Sequence, residues 1–117
     1  MTLHLRTATP GDAAAAGRIL HAGFQAIAER HGFPPDFPSP EVATGLVREL
    51  AARADLYAVI AERDGRIAGS NFLWEGDLVA GVGPISVDPA LQDASIGRRL
   101  MQAVLERAEE RGFRSVA

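Results

Sequence analysis

One stretch concentrates the residue types that do chemistry on a phosphate. Gln92-Asp93-Ala94-Ser95-Ile96-Gly97 is small and polar, Arg98 and Arg99 follow it directly, and an apolar helical pattern runs on from there. The first four N–H groups of a helix have no intrahelical partner, and the helix dipole favours negative charge at that end. Small side chains let an anion approach those groups closely. A guanidinium pairs with phosphate oxygens through two parallel donors. The stretch therefore predicts a pyrophosphate cradle made of main-chain amides. One of the two arginines would reach a phosphate and the other would face solvent.

A cradle of this kind needs a strand leading in and a helix leading out. Residues 82–87 read as the strand, stopped by Asp88-Pro89. Ile96, Leu100, Met101, Val104, Leu105 and Ala108 then recur on one helical face as far as Arg111, with Gly112 as terminator and Phe113 packing back. Upstream, Leu3, Leu5 and Thr7 alternate with His4 and Arg6 as a short strand. Thr9-Pro10-Gly11-Asp12 opens a first helix, whose apolar face runs from Ala16 through Ile19, Leu20, Phe24, Ile27 and Ala28 to a stop at His31-Gly32. A proline-rich linker follows, and Ser39-Pro40 caps a second helix with Val42, Ala43, Leu46, Val47, Leu50 and Ala51 inward. Residues 56–61 and 67–74 form a hairpin about an Asp64-Gly65 turn. Glu75-Gly76-Asp77 turns the chain into a strand over 78–87, which Gly81, Gly83 and Pro84 interrupt. A proline there marks an edge or a bulge. Residues 113–117 begin a further strand.

Composition narrows the classes. The chain of 117 residues is 47% hydrophobic and 23% charged, which predicts a single domain over residues 1–117. A net charge of −3 argues against nucleic acid or an anionic membrane as a partner. With no cysteine there is neither a disulfide nor a thiolate metal site. His4, His21 and His31 lack ligand spacing, so no metal is expected. There is no signal-peptide pattern and no run of roughly 20 apolar residues, so the cytoplasm is the expected location. All 12 basic residues are arginine, which reads as compositional bias of the source genome.

These residues resemble motif A of the GCN5-related N-acetyltransferase (GNAT) superfamily, a Gln/Arg-x-x-Gly-x-Gly/Ala loop. Gln92 and Gly97 fall on its first and last positions, and Ser95 stands where the central Gly would be. Gly83-Pro84-Ile85-Ser86-Val87-Asp88-Pro89 is similar to the family's fourth strand. The order β-α-α-β-β-β-α-β matches the first two-thirds of that fold. The implied class is α+β: a mixed, mostly antiparallel sheet flanked by helices, here truncated after the start of strand 5. The resemblance also implies acetyl-CoA as cosubstrate. The backbone at Ile85, Ser86 and Val87 would hold pantetheine, Gln92 would shape the loop, and the amides of Asp93, Ala94, Ser95, Ile96, Gly97 and Arg98 would take the pyrophosphate. The Val87 N–H would polarise the thioester carbonyl. The rest of strand 5, helix α4 and the last two strands would be absent, as in a fragment, a homologue completed by a partner chain, or a degenerate domain.

Within that resemblance Glu75, at the end of the third strand, is the candidate base; the competing reading is a solvated turn residue. Asp88 and Asp93 read as turn or cap residues. Tyr57, the sole tyrosine, is expected at the sheet edge and not at the thioester. Trp74 alternates with Phe72 and reads as packing. Phe33 and Phe37 would either border the acceptor groove or plug the helix pair into the core. The function implied is acetyl transfer to a primary amine, on a small molecule or a protein, by direct attack in a ternary complex. The alternatives are a catalytically inactive coenzyme A-binding domain and a module that binds a simple anion. An exposed sheet edge would permit a homodimer.

Overall fold

A computed structural model describes residues 2–34, 37–91 and 94–117. Its strands are β1 (Leu3–Thr7), β2 (Leu56–Arg63), β3 (Arg66–Trp74), β4 (Gly81–Val82) and β5 (Ser86–Val87), and its helices are α1 (Ala13–His31), α2 (Pro40–Ala52) and α3 (Ala94–Glu110). Short 3-10 turns precede α1 at Pro10–Asp12 and α3 at Pro89–Leu91. The strands form one antiparallel sheet in the order β1-β2-β3-β4, with β5 also pairing with β3. A parallel bridge from Ala80 to Val116 brings in the C-terminal segment, so the sheet is mixed, as expected.

Local signals set most of the boundaries. The Ser39 Oγ accepts a hydrogen bond from the Val42 N–H at 3.3 Å, opening α2. Gly32 ends α1 with φ +69°, and Gly112 follows α3 with φ +80°. After α3 the Phe113 N–H reaches the Ala108 carbonyl and the Gly112 N–H the Glu109 carbonyl, each at 3.0 Å. Asp64 (φ 53°) and Gly65 (φ 82°) both take the left-handed conformation that a two-residue hairpin turn requires.

The alternation of β2 and β3 divides the core into two layers. Ala58, Ile60 and Phe72 face α1 and α2, where they meet Ala16, Leu20, Ala43, Val47 and Leu50. Val59, Ala61 and Leu73 face α3 and its buried row Ile96, Leu100, Val104 and Ala108. Leu105, expected inward, is 44% exposed, one helical step (about 100°) past Val104. The strand expected over 78–87 is instead two short pieces. Leu78, 95% exposed, belongs to the preceding turn.

Candidate functional site

Along β3 the ladder breaks between β4 and β5, and the sheet forks there because the C-terminal segment pairs beside β4 and not, among the described residues, beside β5. β4 pairs with β3 as Trp74↔Gly81 and Leu73↔Val82, and β5 resumes as Ser70↔Ser86 and Gly69↔Val87. Residues 83–85 therefore oppose only residues 71–72, which is a one-residue bulge. Its Gly83–Pro84 peptide is cis. The sequence placed the irregularity at Pro84, and the register locates it there.

Side chains of β3 hold the bulge in place. The Trp74 Nε1 donates to the Gly83 carbonyl at 2.7 Å. The Gly83 N–H reaches the Phe72 carbonyl at 2.8 Å, but the Phe72 N–H is taken by the Asn71 Oδ1 at 2.9 Å. Asn71 is fully buried, and its Nδ2 donates to the Leu100 carbonyl at 3.3 Å, tying α3 to the fork. Sequence reasoning missed Asn71 and read Trp74 as packing alone. A buried Asn in an apolar strand was the available signal, since buried polar groups must be paired.

The two sides of the fork end differently. On the β4 side the C-terminal segment continues the sheet, with the Ala117 N–H on the Ala80 carbonyl and the Val82 N–H on the Ala117 carbonyl, both at 2.8 Å. On the β5 side the Asp88 N–H bonds the Ala68 carbonyl at 2.7 Å and Ser86 lies opposite Ser70. Antiparallel ladders alternate, so the N–H and C=O of Val87 turn away from β3 toward the open edge, with those of Ile85 two residues earlier on the same side. Close packing fixes this arrangement. A Cβ added at Gly69 would lie 2.4 Å from the Ser86 carbonyl oxygen and 3.0 Å from the Leu100 Cδ1.

The first turn of α3 meets β5 from one face. A Cβ added at Gly97 would sit 3.8 Å from the Val87 Cγ2, and the Ile96 side chain is buried beside Leu100. Gln92 and Asp93 lie outside the described residues. Because α3 begins at Ala94, the Arg98 N–H is four residues in and belongs to the helix ladder. Arg98 thus offers an anion only its exposed guanidinium, and the first turn of α3 runs through Ala94, Ser95 and Ile96 ahead of it.

On the opposite face a cleft of about 250 Å³ opens between α1 and β5. Gly23, Phe24, Ile27 and Arg30 of α1 face Ile85, Ser86, Val87 and Pro89. The Ser86 hydroxyl is buried, 3.5 Å from that of Ser70. The sequence had singled out Phe33 and Phe37 for this region, and neither lines the cleft. Phe33 is exposed and stacks on His31 with ring centres 5.8 Å apart, while Phe37 packs on Phe24 at 5.5 Å. Phe24 was read as core, and nothing in the sequence separated Ile27 and Arg30 from the rest of α1.

Glu75 and Tyr57 are elsewhere. The Glu75 carboxylate, 6% exposed, receives the Arg107 Nε at 2.8 Å and its Nη2 at 3.3 Å. It is neither a solvated turn residue nor near Val87: just past the end of β3, it lies six steps along the chain from Gly69, the partner of Val87, about 20 Å in extended backbone. The Tyr57 ring lies under the Arg107 guanidinium at 5.0 Å, and burial raises its phenol above the usual range, opposed by that cation. Among the described residues there is no cluster of three metal-ligating side chains and no helix long and apolar enough to cross a membrane.

A forked mixed sheet with a helix starting beside the fork is the architecture the motif resemblance anticipated, and the comparisons agree. The model of the acetyltransferase (GNAT) family matches residues 24–117, and the chain belongs to that family. A GNAT family acetyltransferase from Brucella melitensis, solved with acetyl-CoA, is 25% identical, with a TM-score of 0.75 over 98% of this chain and 73% of that one. Two more distant structures share the fold. The ribosomal-protein-alanine N-acetyltransferase of Brucella melitensis biovar Abortus 2308 is 18% identical (TM-score 0.72, 100% of this chain and 79% of that one). The PaiA N-acetyltransferase of Thermoplasma acidophilum, solved with coenzyme A, is 14% identical (TM-score 0.72, 97% and 76%). No curated protein sequence matches the chain significantly.

Proposed function

We propose that this chain transfers an acetyl group from acetyl-CoA to a primary amine by direct attack in a ternary complex. The observation that carries the reading is the one-residue register change opposite Asn71 and Phe72, which turns the main chain of Val87 to an open edge beside the start of α3. The fit is specific to this place. Unladdered main-chain groups suit the amides of a pantetheine arm, the adjoining helix start suits a diphosphate, and Gly97 leaves the approach to that start clear. The acetyl-CoA complex of the 25% identical relative supports the same cosubstrate.

When bound, acetyl-CoA supplies an activated acetyl group: the neutral amine nitrogen bonds to the thioester carbon, the C–S bond breaks, and the departing thiolate takes up the proton that the nitrogen gives up, leaving an amide and free coenzyme A. The chain's own contribution is positional. In this reading the Val87 N–H donates to the carbonyl oxygen as charge develops there. The α1 cleft opens on the other face of the same strand, so the amine arrives opposite the diphosphate. The chain has no cysteine to form a thioester intermediate.

Titration calorimetry with acetyl-CoA, followed by thiol release across an amine panel, tests the proposal. Binding no tighter than that of inorganic phosphate would sink it. One observation favours a second reading, a coenzyme-binding domain without turnover: neither Glu75 nor Tyr57 reaches the cleft. Acetyl-CoA binding with no thiol release from any amine would select that reading.

A further inference from the structure

The cleft between α1 and β5 has an unusual charge. Its lining is Gly23, Phe24, Ala26, Ile27 and Arg30 from α1, with residues 85–87 and Pro89 opposite. Arg30 is the one ionisable group among these lining residues, and among the described residues no carboxylate lines the cleft with it. The guanidinium is exposed and makes no ion pair or hydrogen bond within the described residues. Its neighbour Glu29 is engaged instead by Gln25, whose Nε2 donates to Glu29 Oε1 at 3.1 Å. Phe24, Ala26, Ile27, Ile85, Val87 and Pro89 add apolar side chains to the lining, beside main chain and the buried Ser86 hydroxyl.

A lone cation is a poor wall for an ordinary amine acceptor. Amines arrive protonated, and two positive charges held in one cleft repel. A polyamine would meet that repulsion several times over. The repulsion turns to attraction when the acceptor carries its own carboxylate. An arginine fork then pairs with the carboxylate while the apolar body lies on Phe24 and Ile27. The volume, about 250 Å³, falls below the roughly 300–1,000 Å³ typical of sites for larger ligands. The N-terminal residue of a peptide would fit that volume but would present a neutral amide where the carboxylate belongs. A cation nearby also lowers the pKa of an ammonium, which raises the neutral fraction that attacks.

We infer that the acceptor of this chain is a small amine with an apolar body and a carboxylate, of the kind an aliphatic amino acid presents, and that Arg30 is the residue that selects it. This rests on the acetyl-transfer reading, and a binding measurement separates the two. The full chain is saturated with coenzyme A and titrated with N-acetyl-leucine and with N-acetylleucinamide, which differ only in carboxylate against carboxamide. The expected result is a preference of about tenfold or more for the carboxylate, the size of one charge-assisted pair. In Arg30→Gln that preference falls to about one while the affinity for the amide is unchanged. A role of Arg30 confined to the C-terminal charge of α1 would not move this ratio. Equal affinities in the native chain, a preference that survives in Arg30→Gln, or no binding of either ligand to the coenzyme-loaded chain would each overturn the inference. Failure of coenzyme A itself to bind is a separate reading in the same experiment, and it removes the acetyl-transfer proposal together with what rests on it.

Discussion

At the fork, single side chains do what ladder bonds do elsewhere. The Trp74 indole N–H and the Asn71 amide satisfy main-chain groups that the bulge leaves without strand partners. Replacing Trp74 with Phe keeps the ring and deletes the bond to the Gly83 carbonyl. The expected loss is about 1 kcal/mol in urea unfolding, together with weaker coenzyme A binding, because the bulge that exposes Val87 is held less firmly. Asn71→Leu fills a similar volume but strands the Phe72 N–H in a buried place, so it should cost about 1–3 kcal/mol. An unchanged urea midpoint in both variants would contradict this account of the fork. Gly97 tests the other side. A Cβ there meets only the Val87 Cγ2, at 3.8 Å, so Gly97→Glu should fold normally by circular dichroism. Its carboxylate would stand where the diphosphate is proposed, and calorimetry should detect no acetyl-CoA binding. Retained affinity would rule out the cradle.

At the scale of elements, the two helices on one face of the sheet lie unusually close. A Cβ added at Gly17 would be 2.4 Å from the Thr44 Cα, which is main chain and has no rotamer to escape into. Gly17→Ala should therefore push α1 off α2 and cost about 1–3 kcal/mol. Gly45, one residue beyond Thr44, has nothing within 4 Å of such a Cβ, and Gly45→Ala should raise stability by roughly 0.5–1 kcal/mol through helix propensity. Opposite signs in thermal melts of these neighbouring sites are the expected outcome. The pair also shows what a sequence does and does not reveal. Ser39, Gly32, Gly112 and Asp64-Gly65 act on chain next to themselves, so their elements could be read directly. The kink at Pro84 was legible for the same reason. Gly17 is small because of Thr44, and Glu75 is neutralised by Arg107 in α3; neither relation leaves a local trace. Likewise Phe24 and Ile27 continue the apolar stripe of α1 without interruption. The point where that stripe stops facing core and starts facing the cleft depends on where β5 ends up.

At the scale of the whole molecule, an ionic junction that fastens the first residues bears on acid stability. Arg6 on β1 donates through Nη1 and Nη2 to the Asp12 carboxylate, both at 2.8 Å, and its Nε pairs with Glu62 on β2. Asp12 also accepts the Thr9 N–H at 2.8 Å, so a single carboxylate joins the edge strand to the turn that starts α1. The Arg6 guanidinium, opposed by burial, is the main cause that lowers the Asp12 carboxyl from 3.8 to about 2. A carboxyl lowered in the folded state favours folding once pH exceeds its unfolded value. Its contribution is thus fully present above about pH 4 and lost as pH falls through about 2. With Asp12 11% exposed but Arg6 31%, screening limits the contribution to at most about 2 kcal/mol. The expected result is that unfolding free energy of the native chain declines more steeply between pH 4 and pH 2 than that of Asp12→Asn. The variant should be less stable at neutral pH, and the two should converge at the acid end. Parallel declines over that interval would mean that the junction is not what ties β1 and the start of α1 to the sheet.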